Sequence, residues 1–267
     1  IRAVDGTRGI APRSLDLFGP GLSALGLAAG TWAVISAGEH GWGVPQLAAV
    51  VAAAGLLTGF VAVERRIPEP MLPPGLFAGR GFTVAVTVGF CLNVSFFGQL
   101  FVLSLFFQRT LGHDAWEAGL ALAPQACSAV VAAPLGGRVA ARFGGFPAML
   151  MGLVLGAAGF AGTAFIGSGT APLVVSGVTF AAGFGMAFAM PAATAAAVSA
   201  VPDELAGTAG GVVNAARQTG SVAGVAILGG VVAADASPSG FRVAMLMAAG
   251  IFVVAAALVA AAARDPV

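Results

Sequence analysis

Arg217 lies near the middle of a small-residue, apolar stretch, residues 207–230, with Asn214 and Gln218 beside it. A charge at bilayer depth costs about 2.5–3.5 kcal/mol on insertion scales, so such a residue faces protein, a partner charge or a wet cavity. On a helix, Asn214, Arg217, Gln218 and Ser221 stand at i, i+3, i+4 and i+7 and share one face. That face cannot look at lipid. A guanidinium flanked by two amides can hold an anionic group, a remote carboxylate or a helix-end carbonyl. The structural alternative is a clamp that ties this helix to the backbone carbonyls of a neighbour.

A second group of polar residues is sunk in other apolar runs: Asn93, Ser95 and Gln99 in one, and Gln125 in the next. Ser95 and Gln99 are one helical turn apart and share a face, which Asn93 does not. These four are the candidates for polar contacts in an otherwise apolar cavity. Acidic residues fall at the ends of apolar runs: Glu39, Asp114, Glu117, Asp203, Glu204 and Asp235. None sits at mid-membrane, so the chain supplies no proton relay of its own. Glu117 reads either as a vestibule charge or as a carboxylate favoured by a helix N-terminus.

Enzyme chemistry finds no constellation here. The two histidines, His40 and His113, are far apart, and neither has neighbours at metal-ligand spacing. No serine occupies a nucleophile elbow, and without a single lysine a phosphate-cradling P-loop is impossible. Cys91 and Cys127 both lie inside apolar runs and read as small hydrophobes. No metal site and no catalytic residue is expected.

The elements that carry these residues follow from composition. Hydrophobic residues make up 58% and charged residues only 9%, against about 25% charged in a soluble domain. With a mean hydropathy of +0.97 the chain has too little polar surface to cover itself in water. The net charge of +1 offers nothing to nucleic acid. Glycine, at 40 of 267 residues, suits helices packed backbone to backbone in lipid. GxxxG spacings occur at Gly26/Gly30, Gly55/Gly59, Gly152/Gly156, Gly207/Gly211 and Gly220/Gly224.

The opening residues, polar and basic from Ile1, read as a cytoplasmic loop entered partway, with further residues expected upstream. Spans are then expected at 17–37, 44–63, 81–108, 118–137, 146–166, 173–201, 207–230 and 243–263. The charge-free run from Phe143 to Pro202 must fold back, because as one helix it would be about three times a hydrocarbon core. GSGTAP, residues 167–172, is the reversal. Pro191 interrupts the sixth span as a kink or hinge. If the leader is cytoplasmic, Arg2, Arg8, Arg13, Arg65, Arg66, Arg80, Arg138, Arg142 and Arg264 lie inside and only Arg109 and Arg242 outside. That is the bias of the positive-inside rule. Trp42 and Trp116 then fall at the outer boundary. The expectation is an all-α integral membrane protein with eight transmembrane helices and both ends in the cytoplasm.

Three stretches resemble the major facilitator superfamily, specifically its fourteen-helix drug:proton antiporter branch. The segment Gly137-Arg138-Val139-Ala140-Ala141-Arg142-Phe143-Gly144 is similar to the loop motif G-[RK]-x-x-[DN]-R-x-G, with Ala141 in the acidic position. VPDELAGTAGGVVNAARQTGSVAGVAILGG matches the branch pattern around Asn214, Arg217, Gln218, Gly220 and Gly224. SAGEHGWGVPQ and the LPPGLF connector resemble the branch's two extra central helices.

The resemblance implies a leader, two inserted helices and connector over 1–80, and a C-terminal six-helix bundle over 81–267. It implies a proton-coupled efflux transporter of a bacterial inner membrane, with no cofactor beyond the proton gradient. A lipophilic small molecule would move by alternating access against a six-helix N-terminal half that this chain lacks. Asn93, Ser95, Gln99, Gln125, Asn214, Arg217 and Gln218 become substrate-cavity candidates. Pro191, Gly207, Gly211, Gly220 and Gly224 become packing or hinge positions, with Gly220 and Gly224 drawing their helix against the opposite bundle. Gly137, Arg138, Arg142 and Gly144 form the cytoplasmic loop. The rival expectation is a truncated, non-transporting membrane module that serves as scaffold or partner.

Overall fold

The computed structural model describes residues 18–40, 43–66 and 74–264. The basic leader with Arg2, Arg8 and Arg13, the Trp42 anchor and residues 67–73 of the connector lie outside the described residues. Among the described residues eight long α-helices follow one another: α1 Phe18–His40, α2 Val44–Glu64, α3 Arg80–Leu105, α4 Ala115–Phe143, α5 Gly145–Thr163, α6 Pro172–Ser199, α7 Ala206–Ala234 and α8 Pro238–Arg264. A five-residue π turn, Phe106–Thr110, prolongs α3.

Helix ends are set by backbone caps rather than by the edge of the apolar runs. Asp114 accepts from the Glu117 N–H at 2.8 Å while the Glu117 carboxylate accepts from the Asp114 N–H at 3.2 Å. This reciprocal box starts α4, and it gives Glu117 a capping role in place of a vestibule charge. At the other end α4 runs through both arginines and stops only at Gly144, whose φ of +93° suits glycine. The expected loop 137–144 is therefore the last turns of a helix, a correction to the polarity-based boundary. Arginines near a helix C-terminus favour the dipole and do not end the helix. Near the expected reversal, Gly167 and Thr170 close a turn on each other at 2.9 and 3.0 Å.

Six of the helices are long and apolar enough to cross a membrane: α2, α3 with its π turn, α4, α5, α6 and α8. Among the described residues the expectation of eight crossings is met to that extent, and α7 is not one of the six. For α7 the reason is on its polar face, where Asn214, Arg217 and Gln218 dilute the apolar residues.

Helices α3 to α8 form one bundle. α3 packs along α7 and also meets α8 and α6, α4 lies on α6, and α5 is held between α6 and α8. α1 and α2 pair as a hairpin that reaches the bundle through α7. The core holds Leu92, Leu103, Phe107, Met149, Leu153, Phe160, Met245 and Phe252. Close approach comes from glycine, most plainly at Gly152, where a Cβ would stand 2.7 Å from the Gly185 carbonyl oxygen. Gly26/Gly30, Gly152/Gly156 and Gly220/Gly224 all press on a neighbouring helix, whereas Gly55/Gly59 and Gly207/Gly211 face open space.

Candidate functional site

The polar residues picked out in sequence separate into two groups in space. Ser95, Gln99 and Gln125 are closed inside the bundle, exposed by 0%, 0% and 2%. Ser95 Oγ donates to the Ala248 carbonyl of α8 at 2.9 Å. Gln125 Nε2 donates to Gln99 Oε1 at 2.8 Å, and Gln99 Nε2 returns the bond at 3.4 Å. In this arrangement their polar atoms are spent on protein partners and line no open surface. The amide pair is also the chief polar tie between α3 and α4, which otherwise touch little.

Replacing Gln99 alone by Leu strands the Gln125 amide, and an unmade buried bond costs about 1–3 kcal/mol. The paired change Gln99→Leu with Gln125→Leu is expected to be much nearer neutral. Unfolding of the detergent-solubilised protein in denaturant checks this, and equal losses for single and double variants would contradict it.

The second group lies on α7 and the facing side of α3. Arg217 is half-buried, and its aliphatic stem crosses Gly89, where a Cβ would meet Arg217 Cγ at 3.4 Å. Arg217 Nε is shut off from solvent and has no hydrogen-bond partner. Among the described residues no carbonyl or carboxylate accepts from this guanidinium, so the expected backbone clamp is not made. Ser221 Oγ reaches the Arg217 carbonyl at 3.1 Å and Asn93 Oδ1 at 3.3 Å, while Asn93 Nδ2 donates to the Gly89 carbonyl at 2.9 Å. Asn93 thus belongs to the α7 side, apart from Ser95 and Gln99. Asn214 and Gln218 are exposed, one turn apart on the same face as Arg217.

Gly220 and Gly224 do not turn toward an opposite bundle. A Cβ at Gly220 would stand 2.5 Å from the Phe90 carbonyl oxygen, and one at Gly224 would land on the Val94 carbonyl. They seat α7 on α3, a correction to the expected direction. Arg217 stands three and seven residues before them on the same face, so its stem also runs against α3, at Gly89. Sequence reading missed the receiving side, Gly89 and Gly98 of α3. The signal available was two glycines in the interior of a charge-free span of mostly bulky residues.

At the end of the bundle where α4 turns into α5, Gly137, Ala141, Pro191 and Ala195 border an open cleft of about 560 Å³ between α4 and α6. α6 continues as helix through Pro191. Arg138 and Arg142 are exposed beside this cleft, and the Arg142 guanidinium lies over the Phe143 ring at 5.4 Å.

Comparison with known proteins decides the family, because residues 15–225 match the Major Facilitator Superfamily profile. The chain belongs to the Major Facilitator Superfamily. Among its superfamily relatives, the Methylenomycin A resistance protein of Streptomyces coelicolor is 36% identical over 220 residues, covering 81% of this chain and 46% of the relative. The Tetracenomycin C resistance and export protein of Streptomyces glaucescens is 32% identical, covering 82% of this chain and 41% of the relative. The Multidrug resistance protein Stp of Mycobacterium tuberculosis is 31% identical, over 83% and 41% respectively. The chain therefore spans about half the length of these relatives, the matched part less than half. The crystal structure of the nucleoside transporter NupG aligns with a TM-score of 0.56 at 16% identity, over 88% of this chain and 64% of that one. That likeness concerns the fold alone. This superfamily member is a multi-pass membrane protein with drug-resistance and export proteins among its relatives.

Proposed function

We propose that this chain is the C-terminal portion of a proton-coupled exporter of lipophilic small molecules. It works by alternating access against a six-helix bundle outside this chain. The observation that carries the reading is the α7 face, where Asn214 and Gln218 are exposed and Arg217 is unpaired at bilayer depth. Amides and a guanidinium at that depth need protein or water opposite them, not acyl chains. The relatives, of which the match covers less than half and which are named for resistance and export, supply the kind of protein in which such a face is covered.

In this reading α1 and α2 are the inserted pair, α3 to α8 the C-terminal bundle, and both ends lie in the cytoplasm of a bacterial inner membrane. The acidic residues on the described helices and turns of the bundle sit at helix ends. The carboxylate that carries the proton therefore belongs to the other bundle. The substrate meets a mostly apolar cavity in which α7 contributes the polar contacts.

The intact encoded protein, produced in a bacterium lacking its own drug pumps, should lower ethidium accumulation. Adding a protonophore should restore it. Unchanged accumulation of ethidium and of other lipophilic dyes, with the protein present in the membrane, would overturn the exporter reading.

A further inference from the structure

Arg217 is a cation with a prepared seat and no partner. Gly89 leaves room for its stem, Asn93 and Ser221 build a polar layer beside it, and Gly220 and Gly224 farther along the same face hold α7 against α3. Its Nε is buried without an acceptor, and among the described residues nothing pairs with the guanidinium. An unpaired charge so placed is costly, and the cost is removed when a charge of opposite sign arrives.

We propose that Arg217 receives one ionised carboxylate, delivered at bilayer depth from outside the described helices. This rests on the transporter reading of the α7 face and adds the chemistry of its ligand. A guanidinium fork matches the two oxygens of a carboxylate in a bidentate pair. Charge counting separates this from a phosphate. Arg65, Arg66, Arg80, Arg109, Arg138, Arg142, Arg242 and Arg264 all lie at helix ends or turns, which leaves a single positive charge to neutralise a single negative one. Depth separates it from a lipid headgroup, because Arg217 lies roughly 16 Å along α7 from its first residue at the helical rise. The carboxylate comes either from a side chain elsewhere in the protein or from a small acid in the cavity, and both present the same group to Arg217.

The chain has no lysine, which makes the substitution R217K a chemical trap. A carbodiimide joins an ammonium to a carboxylate it touches, and peptide mass spectrometry of the intact protein then identifies the partner. An amide to an Asp or Glu of the protein places the carboxylate in the protein itself. An amide formed only when 1-naphthoate is added, and not with 1-naphthamide, places it in a small acid. Absence of any amide in either arm, from R217K protein that remains monodisperse in detergent, overturns the proposal. A second readout uses R217Q: for a small-acid source, 1-naphthoate raises the melting temperature of the wild type but not of R217Q. Phenyl phosphate binding the wild type as tightly as 1-naphthoate would overturn the choice of carboxylate. Capture of a carboxylate without dye export would sink the exporter reading alone, whereas export by R217Q at the wild-type rate would sink this one alone.

Discussion

Arg217→Ala is expected to cut export by the intact protein roughly tenfold to a hundredfold. That range corresponds to losing one charge-assisted hydrogen-bonded pair of about 1.5–3 kcal/mol. The side chain touches little that its loss would collapse. Its stem rests on Gly89, its Nε has no acceptor, and α7 is seated on α3 by the backbone contacts of Gly220 and Gly224 farther along the same face, which do not need the arginine. The protein should therefore still reach the membrane at close to the normal level, and the defect should lie in transport. Dye efflux normalised to membrane protein measured by immunoblot checks this. Wild-type efflux by Arg217→Ala would mean that the charge has no part in export. Loss of the protein itself would mean that Arg217 holds the fold.

Gly224→Leu is expected to prevent the bundle from assembling. A Cβ there would land on the Val94 carbonyl, and across the same contact a Cβ at Gly98 would stand 2.6 Å from the Gly224 carbonyl oxygen. Two backbones meet here with no side chain between them, so relief requires moving a whole helix. Overpacking of a close interface costs about 1–3 kcal/mol for even small additions, and Leu adds far more than one methyl. Gly211→Leu, on the same helix but facing open space, should be tolerated. Size-exclusion profiles of the solubilised variants distinguish the two. Similar monodisperse yields for Gly224→Leu and Gly211→Leu would contradict the helix contact described here.

These two expectations draw on different parts of the molecule, and they were unequally legible in the amino-acid chain. That Arg217, Asn214, Gln218 and Ser221 share a face needed only the helical repeat, and the structure keeps all four on one side of α7. The direction of Gly220 and Gly224 needed a partner helix, because a small-residue pair fits any close neighbour equally well. Reading them toward an opposite bundle was therefore an error of partner. The roles of Ser95, Gln99 and Gln125 were open for a similar reason. A buried amide satisfied by another amide and one waiting for a ligand look alike in one dimension.

Composition alone determined the class of solvent around this protein, since 58% hydrophobic residues cannot be covered by 9% charged ones. The spacing of charges determined where the helices end to within a few residues, the exceptions being α4, whose cap lies at Gly144, and α8, which starts at Pro238 rather than Val243. Only the tertiary structure decided which helix α7 leans on, that Gly89 makes room for the arginine's stem, and that among the described residues no backbone carbonyl takes up its charge. The physical reason is that helical periodicity is a property of neighbours along the chain. Pairing is a property of neighbours in space, set by which close contacts the whole bundle can satisfy at once.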